Sequence, residues 1–368
     1  MPGHSRPSMR PWRRLRRFVR ERAYVHEGAL YIRRRAPHQL LAELGLREPF
    51  GQKKRHGLRL YTTPLTRLRF SPQALPPLQA LVIREPYGRM GNQTIQLVHA
   101  HGIASRLGIR RIEAPRNQIL SSPCSDGRGI VLDCSAHLTS APRLPDFFLR
   151  MLATPGRIHL VGNPYHLPQL LTPLSREELS AGFMALRKCA PLGVSNKPLG
   201  ARHLVIHVRG GDAFGEHAHK EYAQPPLSFY RLAIQARKWT GATLVRADES
   251  YPFEAELIDE LERAGIPWQI QSGTADDDAT YLARAQNLVS SRGSFIPAIA
   301  GRSDHTKRLW VFGDERRIRS GVEIFRVTDQ KGDYWSSCCQ SNWTDSPEQR
   351  QMMREYPTDN LSVSTEAT

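Results

Sequence analysis

The feature that most constrains the fold is a regular alternation of short apolar runs and amphipathic runs between residues 203 and 312. The pattern predicts strands at 203–208, 242–247, 267–271, 287–290 and 308–312, and helices at 227–239, 253–264, 276–285 and 296–300. Strands that are separated by helices at this spacing are typical of a parallel, doubly wound sheet. This part of the chain therefore predicts an α/β fold.

The first of these strands leads into an abrupt glycine turn. It reads His203-Leu-Val-Ile-His-Val208 and is followed by Arg209, two glycines and Asp212. Ligands of such sheets bind beyond the carboxyl ends of the strands. An arginine there can hold a phosphate through two parallel hydrogen bonds, and glycines let a ligand approach the backbone. The alternative is an ordinary strand exit with a surface Arg209–Asp212 pair, and so short a motif does not exclude it.

A second glycine turn lies upstream, between a strand and a helix. The apolar run 78–83 precedes Gly88-Arg-Met-Gly91-Asn92-Gln93, and a helical rhythm follows from residue 94 to Gly108. The first turn of such a helix presents unpaired N–H groups and the positive end of the helix dipole, so it suits an anion. The simpler interpretation is a helix start with Asn92 as the N-cap residue.

Together the two motifs resemble the GDP-fucose-dependent fucosyltransferase superfamily, which includes α-1,2-, α-1,6- and protein O-fucosyltransferases. Its members begin the first domain with a Gly-x-x-Gly-Asn-Gln turn and the second with a strand that ends His-x-Arg-Arg-Gly-Asp. Weaker matches follow in the family's order at 226–234, 244–249 and 278–295. The resemblance covers residues 78 to 312.

The resemblance implies two Rossmann-like, doubly wound domains that face each other across a cleft, an arrangement called GT-B-like. It implies an inverting, metal-independent glycosyltransferase that moves fucose from GDP-fucose, or a similar sugar, onto a hydroxyl of a glycan or glycolipid acceptor, without a cofactor. Polysaccharide biosynthesis is the implied setting. The predicted divisions are a basic lead-in at 1–77, domains at 78–195 and 201–327, and a polar, disordered tail at 328–368.

Candidate site residues come from the two motifs and from the weaker matches. Arg209 is the predicted catalytic cation, aided by the helix start at Gly91 and Asn92, because negative charge grows on the departing diphosphate. Asp212 is predicted to orient Arg209. His207 is predicted either to lie in the core or to contact the base of the nucleotide. The resemblance implies that Asp278 helps to bind the nucleoside of the donor. It also implies that Ser294 and Phe295 lie near the phosphates or the sugar of the donor. Asp248 is a candidate acceptor for guanine N–H groups.

The general base is not evident from the sequence. Glu216 lies on the loop after the arginine motif, and Tyr165 and His166 lie in a segment loosely similar to one in the family. These three residues are the acceptor-side candidates. The alternative for Glu216 is a solvated charge on a loop, and the alternative for Tyr165 and His166 is a plain proline turn. A metal-dependent scheme would use Asp276-Asp-Asp278, but this run is also typical of a capped helix start. No metal site is predicted.

Two departures from the family pattern keep a rival function open. Gly210 stands where many relatives have a second arginine, and the segment 293–297 lacks the family's tryptophans. The alternative is a non-catalytic nucleotide- or phosphate-binding protein that retains the fold.

The charge of the chain is concentrated near its N-terminus. The net charge is +17, and residues 1–57 hold 15 Lys or Arg against 4 Asp or Glu, a net of +11. In the run 12–20, bases alternate with apolar side chains, a pattern compatible with peripheral contact with anionic lipid. A solvated arm is the alternative. A nucleic-acid partner is not favoured, since no zinc-finger or RNA-recognition signature occurs.

The lack of a recognisable targeting segment and the spacing of the cysteines predict a cytoplasmic protein. No run approaches the length of about 18 apolar residues that crosses a bilayer, and the first twenty residues lack the apolar segment of a secretory signal. The five cysteines have no zinc-site or disulfide-framework spacing. We therefore expect free thiols in a reducing compartment.

Overall fold

The fold is described from a computed structural model of the chain. The structure describes residues 23–26, 29–32, 79–83, 86–106, 108–134, 157–160, 174–192, 197–247, 251–313, 315 and 318–366. The chain divides into two compact units. Unit 1 comprises Met1–Arg89 and Ile95–Ser175, and unit 2 comprises Met90–Thr94 and Arg176–Thr368. The predicted boundary lies between 195 and 201, whereas this division places the helix Arg176–Cys189 in unit 2.

Unit 1 contains a hairpin and a parallel-rich sheet. Strands β1 (Ala23–His26) and β2 (Ala29–Ile32) pair antiparallel as a separate two-stranded sheet. The five-stranded sheet has the order β5-β6-β4-β3-β7. Its strands are β3 (Ala80–Ile83), β4 (Arg111–Glu113), β5 (Cys124–Ser125), β6 (Val131–Asp133) and β7 (Arg157–Leu160). All neighbours pair in parallel except β5 and β6.

Helix α1 (Met90–Arg106) follows β3, as the glycine turn predicts. It begins at Met90, so Asn92 lies inside its first turn and is not the N-cap residue. The prediction of Asn92 as a cap is therefore wrong. Most residues of α1 are buried, among them Ile95, Val98 and Ile103.

Unit 2 is built on a seven-stranded sheet with the order β10-β9-β8-β11-β12-β13-β14. Its strands are β8 (His203–His207), β9 (Gly241–Val245), β10 (Trp268–Gln271), β11 (Asn287–Val289), β12 (Arg308–Phe312), β13 (Glu323–Asp329) and β14 (Leu361–Glu366). All pairs are parallel except β13 with β14. The predicted parallel sheet is confirmed.

Helices connect these strands at the positions that the alternation predicts. Helix α2 (Arg176–Cys189) precedes β8, and the helices that connect the strands from β8 to β12 are α3 (Leu227–Gln235), α4 (Glu254–Arg263), α5 (Ala275–Ala283) and α6 (Phe295–Arg302). Every residue of β9 is buried, as are Leu204 to His207 of β8. Since successive side chains of a strand point to opposite faces, both faces of these central strands are covered.

The C-terminal segment differs from its predicted disorder. Residues 328–366 include α7 (Asp333–Cys338), α8 (Pro347–Glu355) and β14, which adds an antiparallel strand beside β13. The segment is polar overall, but Tyr334, Trp343 and Met353 are fully buried in the core of unit 2. These buried side chains and the pairing of β14 with β13 fix the segment to the sheet.

The cysteines also differ in part from the prediction of free thiols. Cys134, Cys338 and Cys339 are free and buried. Cys124 is disulfide-bonded, and so is Cys189. Reducing compartments disfavour this state.

Candidate functional site

The strand order of unit 2 places a ligand-binding position beside β8. The chain runs from β8 to β9 and β10 on one side, then crosses to β11 on the other side of β8. Because β8, β9 and β11 are parallel, their carboxyl ends share one edge of the sheet. Doubly wound sheets bind ligands outside this edge, at the point where the strand order reverses. That point lies between β8 and β11.

Arg209 follows β8 at this edge and is held by two side chains. Its Nε and Nη2 donate to Asp212 Oδ1 at 3.1 and 2.9 Å, and Nη2 also donates to Oδ2 at 3.1 Å. The guanidinium lies over the Tyr222 ring, with Cζ 3.9 Å from the ring centroid. These contacts fix the plane of the guanidinium while the side chain stays partly exposed (23%).

The third guanidinium nitrogen lies against the loop that leads from β11 into α6. A Cβ on Gly293 would stand 2.8 Å from Arg209 Nη1, and Gly293 has a φ of +136°, which L side chains rarely adopt. The backbone conformation therefore favours glycine there, and a side chain would also displace the Arg209 Nη1 group. The result is a cation beside the N-terminal end of a helix, and both groups favour an anion.

His207 lies buried at the same edge. Its Nδ1 shares a 2.6 Å hydrogen bond with Ser291 Oγ, and its ring is 5.4 Å from that of Phe295. Burial, and then the neighbouring charge of Arg209, lower the pKa of His207 to about 3. The imidazole is therefore neutral at physiological pH, which agrees with the core interpretation of this residue.

The start of α1 meets the start of α6 within unit 2. Ser294 Oγ donates to Asn92 Oδ1 at 2.6 Å. A Cβ on Gly91 would lie 2.8 Å from Ser294 Oγ and 2.9 Å from the backbone N and Cα of Phe295. The structure thus brings the glycine turn into contact with the Ser294–Phe295 loop. Gly91 permits a close approach of two backbones there.

Asp278 lies farther along the same sheet, in the first turn of α5 after the edge strand β10. It is 4% exposed, and Gln271 Nε2 donates to its Oδ1 at 3.2 Å. Burial raises the pKa of this carboxyl. The neighbouring Asp277 forms a capping box with Thr274 at the start of α5, so the capped helix start that competed with a metal site is confirmed.

Other predicted site residues are less informative. Glu216 is exposed on the loop after the arginine motif. Asp248, Tyr165 and His166 lie outside the described residues, as does the basic run 12–20. Within the described ranges, no three or more His, Cys, Asp or Glu side chains are grouped to hold a metal ion. No helix in that part of the chain has the length and apolarity to cross a membrane.

Several residues at the site escape the sequence analysis. The Tyr222 ring stacks against the Arg209 guanidinium, and Ser291 forms a hydrogen bond with His207. Gln224, fully buried, accepts from the backbone N of Arg292 at 3.2 Å and donates to the Tyr222 carbonyl at 2.7 Å. The signal that could have found Ser291 is the polar run 290–294 directly after a predicted strand. Nothing in the sequence marks Tyr222 as a neighbour of Arg209.

Comparison with known proteins does not assign a family. No family model matches the chain, and no curated protein matches it. Among solved structures, it is similar to POFUT1 in complex with GDP, with 11% identity and a TM-score of 0.35, over 67% of this chain and 98% of that one. It is also similar to TibC, a bacterial iron-containing dodecameric glycosyltransferase from enterotoxigenic E. coli, with 12% identity and a TM-score of 0.33, over 64% of this chain and 59% of that one. TM-scores this low do not establish a shared fold.

Proposed function

We propose that the chain is an inverting, metal-independent glycosyltransferase that moves a sugar from a nucleotide donor onto a hydroxyl of a glycan or glycolipid acceptor. The proposed donor is GDP-fucose, on the strength of the motif resemblance at residues 88–93 and 207–212. The proposal includes two Rossmann-like domains and a peripheral membrane contact through the basic N-terminal arm.

The observation that carries this proposal is the placement of Arg209. A partly exposed guanidinium, held by Asp212 and Tyr222, stands at the reversal of strand order beside the first turn of α6. A diphosphate has the charge and the geometry that such a pair of groups binds best. A nucleoside diphosphate is therefore the proposed ligand of this edge.

In the proposed reaction, the bond between the sugar anomeric carbon and the β-phosphate oxygen breaks, and the acceptor oxygen forms a new bond on the opposite face of the sugar. Negative charge moves onto the β-phosphate, where Arg209 and the backbone N–H groups of the α6 start stabilise it. A fixed donor of this kind contributes about 10² to 10³ in rate. The proton of the acceptor hydroxyl leaves to a general base.

Neutral, buried His207 does not fit the role of that base, since it is bonded to Ser291 and has a pKa lowered to about 3. Glu216, on the exposed loop, remains an acceptor-side proposal, together with Tyr165 and His166. On the donor side, we assign Asp248 and Asp278 to the nucleoside, and Asn92, Gly91, Ser294 and Phe295 to the diphosphate and sugar.

The test compares Arg209→Ala with Arg237→Ala, a control that removes an arginine lying over Trp239 instead. GDP binding is measured by calorimetry, and donor hydrolysis and transfer are measured with a panel of nucleotide sugars, with and without Mg²⁺. We expect Arg209→Ala to lower turnover by about 10² or more and Arg237→Ala to leave it unchanged, with both variants folded.

The possible results distinguish the proposed transferase from the two alternative functions. Near-wild-type transfer by Arg209→Ala would refute the catalytic assignment. Nucleotide binding that depends on Arg209 without hydrolysis of any donor would favour the non-catalytic nucleotide-binding alternative. A strict Mg²⁺ requirement that is lost in Asp276→Asn would favour the metal-dependent scheme.

A further inference from the structure

The loop that carries the partners of Arg209 has little regular structure of its own. It runs from residue 208 to residue 226 and contains a single short turn of 3₁₀ helix, Gly211–Ala213. A segment more than a hundred residues later in the chain contacts this loop. We call residues 339–350 the C-terminal brace.

Trp343 is the first anchor of the brace. Its side chain is fully buried, and its Nε1 donates to the Ala213 carbonyl at 2.6 Å. Its ring meets that of Phe214 edge-on at 5.9 Å, and its backbone N donates to the Lys220 carbonyl at 3.3 Å. One residue thus holds the loop at its beginning and near its end. Ala213 directly follows Asp212, the carboxylate that holds Arg209.

Asp345 is the second anchor. Its Oδ2 accepts from the backbone N of Gly215 at 2.5 Å, and its side chain is 2% exposed. Arg350 neutralises the buried carboxylate, with Nε 2.8 Å from Oδ1 and Nη2 2.6 Å from Oδ2. A buried carboxylate requires such partners, because an unpaired one would carry a large desolvation cost.

Three non-glycine residues of the brace have a left-handed backbone, and one of them is the anchor Asp345. Gln340, Ser341 and Asp345 have φ values of 55°, 68° and 58°, a region that non-glycine residues adopt rarely. Such conformations cost free energy and persist only where the surrounding structure fixes them. The contacts of Trp343 and Asp345 with the loop hold this segment, together with the Gln349 side chain, which donates to the Asn342 carbonyl at 2.8 Å.

The same loop contains the two side chains that hold Arg209, and contacts within the loop connect them. The backbone N of His219 donates to the Asp212 carbonyl at 3.1 Å, and the His219 ring stacks on Tyr222 at 4.3 Å. Asp212 and Tyr222 are the two side chains that hold the guanidinium. We infer that Trp343 and Asp345 are positioning residues of the donor site, which clamp the loop so that Asp212 and Tyr222 present Arg209 to a nucleoside diphosphate. This inference rests on the proposed function.

The clamp is tested first without ligand, by hydrogen exchange of the whole chain read by mass spectrometry. Asp345→Ala removes the acceptor for the Gly215 amide, and Asp345→Asn retains a neutral acceptor. Arg350→Gln and Arg354→Gln form a matched pair on α8, since Arg354 pairs with Glu256 and not with the brace. We expect faster exchange in residues 211–221 for Asp345→Ala and Arg350→Gln, recovery in Asp345→Asn, and no change in Arg354→Gln. Unchanged exchange in Asp345→Ala would overturn the clamp.

The link to Arg209 is tested by titrating GDP into the same variants. We expect Asp345→Ala to leave the binding-competent conformation of the loop populated at about one tenth, which predicts about tenfold weaker GDP binding. In the Arg209→Ala background, the Asp345→Ala substitution should have no further effect, which a general loss of stability would not produce. If Arg209→Ala weakens GDP binding but Asp345→Ala does not, this inference alone fails. If the wild-type chain binds no nucleoside diphosphate, the proposed function fails and the positioning role fails with it.

Discussion

Asn92 and Ser294 form a hydrogen bond of 2.6 Å, although 202 residues separate them in the chain. Each belongs to a different motif, and each lies at the start of a helix, α1 for Asn92 and α6 for Ser294. Their contact makes the two motifs parts of one local structure. It also occupies the Ser294 hydroxyl, which forms no side-chain cap on α6.

This contact predicts energetic coupling between the two residues. We expect Asn92→Ala and Ser294→Ala each to lower the free energy of unfolding by about 1 kcal/mol. Because both remove the same bond, the double variant should cost less than the sum, with a coupling energy of about 0.5 kcal/mol or more. Urea denaturation of the four proteins measures this cycle. Additive effects would contradict the contact.

Gly91→Ala should destabilise the protein even though alanine favours helices. The new Cβ would lie 2.8–2.9 Å from Ser294 Oγ and the Phe295 backbone, and the backbone cannot move aside cheaply. We expect a loss of about 1–3 kcal/mol in the free energy of unfolding, as for other overpacked sites. Gly200→Ala is the control, since its Cβ would meet only the His203 Cβ, at 3.9 Å. Equal stability of the two variants would show that the close approach is absent.

His207 predicts a loss of stability in acid. Its pKa is lowered to about 3, below the ordinary value of 6.5, so the unfolded chain binds the proton more tightly than the folded one. Stability is therefore complete above pH 6.5 and falls as the pH drops from 6.5 towards 3. His207→Asn keeps an acceptor for Ser291 but does not titrate. Its free energy of unfolding should vary less between these pH values, by up to about 1.4 kcal/mol per pH unit. An unchanged slope would mean that His207 is not buried as a neutral ring.

The capping box at α5 predicts that the run Asp276 to Asp278 stabilises the start of this helix and does not bind a metal ion. Thr274→Ala removes the hydroxyl that accepts from the Asp277 backbone N, at a cost of about 1 kcal/mol in the free energy of unfolding. Thr274→Ser retains the hydroxyl and should keep most of the stability. Thermal denaturation in the presence of Mg²⁺ completes the test. A rise in Tm with Mg²⁺ that disappears in Asp276→Asn would instead indicate a metal site.

Tyr222→Leu should weaken diphosphate binding without removing the cation. The Arg209 guanidinium lies 3.9 Å from the Tyr222 ring centroid, and such a contact contributes about 0.5–1 kcal/mol at a partly exposed site. We therefore expect GDP affinity to fall about twofold to fivefold, as measured by calorimetry. Tyr222→Phe retains the ring face and should bind like the wild-type chain. The effect of Tyr222→Leu should vanish when Arg209 is already alanine.

The secondary structure of unit 2 follows closely from the sequence. The predicted strand 203–208 is observed as His203–His207, and the predicted helix 276–285 as Ala275–Ala283. Helix α3 ends at Gln235, earlier than the predicted 239, and residues 235–238 are exposed. Hydrophobic periodicity acts over a few residues, so it locates elements well and their ends less well.

The polar tail shows where local patterning fails. Composition predicts disorder after residue 328, yet Trp343 lies fully buried with its Nε1 on the Ala213 carbonyl, 130 residues away. Apolar side chains inserted into a distant core stabilise this segment, together with the pairing of β14 with β13. Composition averages over these few residues and therefore misses them.

The sequence by itself determined the alternation of strands and helices in unit 2, the parallel sheet and the position of Arg209 at a strand end, because these depend on apolar spacing and glycine turns within short segments. The tertiary structure alone decided that β8 lies between β9 and β11, that Tyr222 lies beneath Arg209 and that Asn92 meets Ser294. Lateral strand order and contacts between distant loops depend on how whole elements pack, and no local pattern of residues encodes that packing.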